Sequence, residues 1–230
     1  MSFHVVPSIS IAYGRLVSNA RPPYSNGHVK SPNPLALVWH WIAEGAHRIH
    51  VEELSDPSRL NLAPTLPALL LGCHSIHNAI QVGGGIRDAR TASLLTTHGA
   101  DTLVLGRSLC DPVEFSRILD VVPGPQIMVA LKMDAELNPF TSESLDVARQ
   151  SGVRRVLLGG PWQAPSIFPS QRRTIRQFQE EGFEVWIAGG IRYRDTVLTL
   201  KDLGVSGVII GKAFYDGDLC YTDLQSLETS

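Results

Sequence analysis

The chain has 230 residues, 43% of them hydrophobic and 18% charged, with a formal net charge of −2 and a pI near 6.4. This balance belongs to a folded globular protein and excludes a disordered, collagenous or coiled-coil chain. It also lacks the basic surface that neutralises a phosphate backbone, so nucleic acid is not an expected partner. No apolar run reaches the ~18 residues of a membrane span, and residues 1–10 carry no signal-peptide pattern, so a cytoplasmic protein with no membrane partner is expected.

In chain order, a first apolar strand is predicted over 5–10, ending at Ser10. The Pro-rich stretch 21–34 follows only one strand, too little for a domain, and reads as a long loop that is a candidate lid. A helical period over 35–43 leads to Gly45 and a strand through His50, Val51 and Glu53. Further strands are predicted at 77–82, 127–133 and 183–188, with helical periods at 91–95, 145–148 and 196–203. Cys73, His74 and His77 lie close together, but no second cluster at ligand spacing accompanies them, so no metal site is expected. Cys73, Cys110 and Cys220, odd in number and widely spaced, read as reduced, buried thiols.

Segments 44–51, 98–105, 151–158 and 203–210 share one pattern: a glycine, a small apolar residue, two variable positions, then a largely apolar run. Their glycines, Gly45, Gly99, Gly152 and Gly204, are separated by 54, 53 and 52 residues. Each segment reads as a helix stopped by a left-handed glycine and followed by a buried strand. Eight such strands alternating with helices imply a parallel sheet covered on its outer face. In 230 residues this predicts an α/β fold, a single (β/α)8 TIM barrel with twofold and fourfold internal repeats and half-barrels at about 1–120 and 121–230. An open doubly wound sheet has no need of a constant paired period.

The halves also match without a gap. At an offset of 105 residues, Gly84, Gly85, Ile86 and Arg87 align with Gly189, Gly190, Ile191 and Arg192, and Gly106-Arg107 aligns with Gly211-Lys212. Glycines after a strand let backbone N–H groups approach an anion, a helix N-terminus adds partial positive charge, and Arg107 or Lys212 adds a full one. The eight candidate phosphate-binding residues are therefore Gly84, Gly85, Gly106, Arg107, Gly189, Gly190, Gly211 and Lys212. The expected partner is a small phosphorylated molecule with two phosphates on opposite sides of the barrel mouth. No cofactor is implied, and these features imply no oligomeric state.

These residues resemble the histidine-biosynthesis barrels of the HisA/HisF family, nearer to its HisA isomerases. The resemblance rests on Gln81-Val-Gly-Gly-Gly-Ile-Arg87, Ala188-Gly-Gly-Ile191, the segment 208–217, the first strand through Gly14-Arg15, and His50-Val-Glu-Glu-Leu54. It runs over nearly the whole chain. It implies an Amadori rearrangement of an aminoaldose to an aminoketose, performed by one Asp ending strand one and another ending strand five. Here Ser10 stands at the first place, and Val129-Ala-Leu-Lys-Met-Asp134 aligns Lys132 with the second. Asp134, two residues on, points to the same side of a strand as Lys132 and is a substitute acid. Glu53 stands where the resemblance implies an Asp on strand two.

The catalytic candidates are thus Lys132, Asp134, Glu53 and Ser10. A lysine near an apolar interior is a candidate base or Schiff-base former; the alternative is that Lys132 pairs with Asp134 or Glu53 or contacts phosphate. Three readings stay open: an isomerase or related enzyme on a phosphorylated sugar or ribotide with replaced acid–base groups, the ordinary HisA reaction, and a non-catalytic phosphate-ligand sensor or partner subunit. Trp39 and Trp41 are read as core or interface, and Trp162 and Phe168 as stacking on a ligand ring or packing on a neighbouring loop.

Overall fold

The computed structural model of the chain describes residues 2–12, 15–17, 33–54, 70, 79–133, 142–162 and 166–228. Eight strands form the ring: β1 (His4–Ala12), β2 (Arg48–Glu53), β3 (Ala79–Gly83), β4 (Thr102–Leu105), β5 (Ile127–Lys132), β6 (Arg155–Gly159), β7 (Glu184–Ala188) and β8 (Gly207–Ile210). Each pairs in parallel with the next, and β8 pairs in parallel with β1, His4 opposite Gly207 and Pro7 opposite Ile210, so the sheet closes. Helices lie between the strands, and the fold is the predicted TIM-type barrel. A two-residue strand, Arg15–Leu16, returns antiparallel along the end of β1.

The described helices are α1 (Pro34–Ala43), α2 (Ala89–Thr97), α3 (Pro112–Val121), α4 (Ser142–Gln150), α5 (Pro169–Glu180), α6 (Arg194–Asp202), α7 (Lys212–Asp216) and α8 (Tyr221–Gln225). Pro34, read as the end of the long loop, is instead the first residue of α1, where a missing N–H costs nothing; Asn33 caps the helix by accepting from the Leu35 N–H. The rest of that loop, 21–32, lies outside the described residues, as do Cys73, His74 and His77.

All four periodic glycines have left-handed backbones, with φ of 91° at Gly45, 103° at Gly99, 84° at Gly152 and 76° at Gly204. Each closes its helix with the same two bonds. The Gly99 N–H donates to Thr96 O and the Ala100 N–H to Leu95 O, and equivalent pairs form at Gly45, Gly152 and Gly204. The repeated stop sets where each following strand starts. A fifth stop of the same kind, Gly182 before β7, falls outside the periodic set.

Strand residues alternate between two apolar clusters. Val5, Ile9, Val51, Val82, Leu103, Val129, Val156, Ile187 and Val208 pack outward against the helices. Val6, Val104, Met128, Leu157, Trp186 and Ile209 fill the inside of the ring, with Ala130 and Ala188 against them. The Trp186 indole lies over Gly207, where an added Cβ would sit 2.5 Å from Cζ3, and it stacks on His4 at 5.6 Å with the planes 5° apart. Among the described residues no helix is long and apolar enough to cross a membrane.

Candidate active site

Because all eight strands run the same way, their C-terminal ends form one mouth. The two matched loops follow β3 and β7, four strands apart and so on opposite sides of the ring. Their backbones coincide. Gly84 and Gly189 have φ of 87° and 96°, and Gly85 and Gly190 have 67° and 77°. An added Cβ at Gly84 would stand 2.0 Å from the Glu53 carbonyl oxygen, and one at Gly189 would stand 2.7 Å from that of Gly160. Both first glycines are therefore required twice over, by dihedral and by close approach.

The following strands end in a second matched pair. Gly106 (φ −108°, ψ −91°) precedes a 3₁₀ turn over Arg107–Cys110, and Gly211 (φ −111°, ψ −89°) precedes α7. At Gly106 an added Cβ would meet nothing nearer than the Ala130 carbonyl at 4.0 Å among the described residues. Crowding by those residues does not demand that glycine, and its absent side chain leaves the backbone uncovered by them.

The charges around the two loops differ. Lys212 Nζ lies 2.7 Å from Asp216 Oδ2, and Arg192 bridges Asp216 at 2.9 Å and also pairs with Asp218. The hydrogen bond from Lys212 holds the Asp216 carboxyl below its usual range, opposed in part by desolvation and reinforced by the charges of Lys212 and Arg192. Arg87 and Arg107 are exposed and form no ion pair among the described residues.

The acid–base candidates separate by register. Ser10 pairs with Glu52, and Ile11 with Glu53. Ile11 belongs to the outer, helix-facing cluster, so Glu53 lies on that face and is 3% exposed. Glu52, which the sequence reading passed over in favour of Glu53, shares the interior face with Ser10; Ser10 Oγ donates to its Oε2 at 3.5 Å. Burial raises the Glu52 carboxyl above the ordinary range, and the Ser10 hydroxyl lowers it in part. Lys132 ends β5 on the interior register, two residues beyond Ala130, and is exposed at the rim. Asp134 lies outside the described residues.

Below Glu52 the interior stays polar. His50 and Gln81 are register partners and both are buried; their side chains interact with each other, and His50 Nδ1 and the Gln81 amide have no other partner among the described residues. Gly83 gives the imidazole its space, since a Cβ there would sit 3.2 Å from His50 Cε1. Burial lowers the His50 pKa to about 4, so the ring is neutral at pH 7. Glu52 and Gln81 fall on the interior parity of their strands, which becomes visible once the strands are paired, Ser10 with Glu52 and His50 with Gln81.

One further expectation is corrected. Cys110 and Cys220 are exposed, not buried; each sits at the end of a short element where the neighbouring Leu109 and Tyr221 take the inward positions. Of the two readings of Trp162, packing on a loop holds: it is 1% exposed, and its backbone N–H donates to Gly160 O and Gly189 O beneath the second loop; Phe168 is 53% exposed. Trp41 is core, against Phe214, Tyr215 and Tyr221, whereas Trp39 is exposed. Residues 163–165 are outside the described set.

Residues 4–157 match the model of a family described as histidine biosynthesis protein. Similar curated proteins include the 1-(5-phosphoribosyl)-5-((5-phosphoribosylamino)methylideneamino)imidazole-4-carboxamide isomerase of Dehalococcoides mccartyi, 28% identical with 94% of this chain and 95% of that protein covered. Isomerases of the same name from Acetivibrio thermocellus and a Cyanothece species are 26% and 28% identical; the matches cover 94% and 95% of this chain, and 95% and 90% of those proteins.

Proposed function

We propose, from the premise that this chain belongs to the histidine biosynthesis protein family, that it is an isomerase acting on a ribotide with two phosphoribosyl groups. The observation that carries the reading is the pair of glycine loops on opposite sides of one mouth, with matching backbones at three pairs of glycines. Gly84, Gly85, Gly106 and Arg107 hold one phosphate, and Gly189, Gly190, Gly211 and Lys212 hold the other, through N–H groups and one cation each. A ligand clamped at both ends is fixed in translation and rotation before any bond changes, which is how a barrel of this kind lowers an entropic barrier.

Two phosphoribosyl groups are written into the names of the similar isomerases, and an aminoaldose to aminoketose rearrangement is the reaction we assign. The chemistry needs an acid to open the sugar ring and a base to move a proton between adjacent carbons. Ser10, Lys132, Asp134 and Glu53 remain the residues by which this chain departs from the two-Asp arrangement its family resemblance implies. The test is turnover of the bis-phosphoribosyl imidazole carboxamide named in the similar isomerases, followed by product formation with purified protein. A rate equal to that of buffer overturns the assignment, and binding of that ribotide without turnover favours a sensor.

A further inference from the structure

We propose that Glu52 is the catalytic acid–base of the isomerisation, its carboxyl reaching from β2 to the place over Ser10 at the end of β1. The assignment rests on the isomerase reading above and adds the group that performs its proton transfers. Among the described residues on the interior register at the mouth end of the strands, Glu52 is the sole carboxylate. Glu53 is turned to the helices by its pairing with Ile11, and Glu184 begins β7 at the opposite end of the ring.

The geometry follows from strand spacing. Neighbouring strands lie about 4.8 Å apart, and Ser10 and Glu52 are direct register partners. A short side chain on β1 and a longer one on β2 therefore bring the carboxyl across to the serine hydroxyl, and the 3.5 Å contact between Ser10 Oγ and Glu52 Oε2 records that reach. The acid has moved by one strand and gained one methylene. A second observation is independent of it: His50 and Gln81, directly below, are buried on the same interior face, where their side chains interact with each other and His50 Nδ1 and the Gln81 amide have no other partner among the described residues. Buried polar groups are nearly always paired, so these atoms point to a polar ligand, or ordered water next to one, beside Glu52. The burial that raises the Glu52 carboxyl keeps more of it in the acid form at the start of the cycle.

The proton balance closes on one residue. The Glu52 carboxyl gives its proton to the sugar ring oxygen as the C1–O bond breaks and the nitrogen lone pair forms a C=N⁺ bond. The carboxylate then takes the C2 proton; those electrons form C1=C2 while the C=N pair returns to nitrogen. The C2 hydroxyl loses its proton to solvent as the ketone forms, C1 receives the proton held by Glu52, and solvent reprotonates the carboxylate. No oxidant or further reactant is required.

The experiment compares the wild type, Glu52→Gln and the double variant Ser10→Asp/Glu52→Gln on the bis-phosphoribosyl substrate, reading kcat and KM separately. Loss of a positioned acid–base costs about 10²–10⁴ in rate. Glu52→Gln is therefore expected to lose at least ~100-fold in kcat, with KM within about threefold because both phosphate loops are intact. The double variant, which returns a carboxylate to the end of β1, is expected to recover at least ~10-fold of that loss. A kcat for Glu52→Gln within about threefold of wild type overturns the role of Glu52 alone. A double variant no faster than Glu52→Gln, with the same melting temperature, overturns the idea that the acid serves the space over Ser10. A wild type that does not turn the substrate over overturns the isomerase reading itself, and this role with it.

Discussion

Strands β1–β4 turn Ser8, Ser10, His50, Glu52, Gln81 and Thr102 towards the inside of the ring beside Val6 and Val104, whereas β5–β8 turn mainly Met128, Ala130, Leu157, Trp186, Ala188 and Ile209 there. Lys132 at the rim and Arg155 and Glu184 at the base are the polar exceptions in the second half among the described residues. Yet the loops above the two halves repeat each other's dihedrals to within about 10°. The backbone features that suit phosphate have stayed twofold, and the side-chain chemistry has not. A symmetric pair of loops stands above an asymmetric interior, whose polar groups come mostly from one side with Lys132 facing them from the other.

The comparison breaks most visibly at the paired glycines. Gly84→Ala combines a left-handed backbone with a Cβ driven onto the Glu53 carbonyl, and should lower stability by about 2–5 kcal/mol. Gly189→Ala meets the Gly160 carbonyl at a longer distance and should cost less, about 1–3 kcal/mol. Urea unfolding midpoints decide the order, and the reverse order would mean that backbone proximity does not set the cost.

The polar half should also reveal itself in acid. His50 is neutral in the fold down to about pH 4, while an unfolded histidine takes its proton near 6.5. Between these values the unfolded chain binds more protons. The His50 contribution is therefore complete above pH 6.5 and falls by ~3 kcal/mol as the pH drops to 4. His50→Leu should flatten that part of the stability profile. Arg155, the residue 105 positions on, stays charged across this range and adds no such slope.

The smallest effects separate Asp111 from Asp216, which occupy equivalent positions in the two halves. Asp111 caps α3 by accepting from the Glu114 N–H at 3.1 Å, so Asp111→Ala should cost about 1 kcal/mol of stability and leave phosphate affinity alone. Asp216 holds Lys212 and Arg192, and Asp216→Asn should tighten inorganic phosphate binding about threefold, the scale of one exposed ion pair. Calorimetric titration distinguishes them; an unchanged affinity in Asp216→Asn would show that this cluster does not compete with anions.

Much of this architecture was written in local signals. The spacing of Gly45, Gly99, Gly152 and Gly204 announced four identical helix stops because each needs the one residue that adopts positive φ without strain. The match of Gly84 to Gly189 was equally readable, since a close backbone approach admits no other side chain. Glu52 was not, because adjacent glutamates at a strand end are told apart only by which β1 residue each faces. Register is a property of two strands, and neither strand carries it alone. The exposure of Cys110 and Cys220 was hidden for a related reason: apolar neighbours compete for the inward site, and composition does not say which wins.

Trp186, lying over Gly207 and stacked on His4, closes the ring beneath the mouth. An indole removed from such a place leaves a cavity worth about 3–5 kcal/mol, whereas exchanges at Ser10, Glu52 or Lys132 lie above the apolar interior cluster it anchors. The consequence is evolutionary. A scaffold with a sealed floor can try new acids, bases and substrates at its rim while its folding stays out of reach of the experiment.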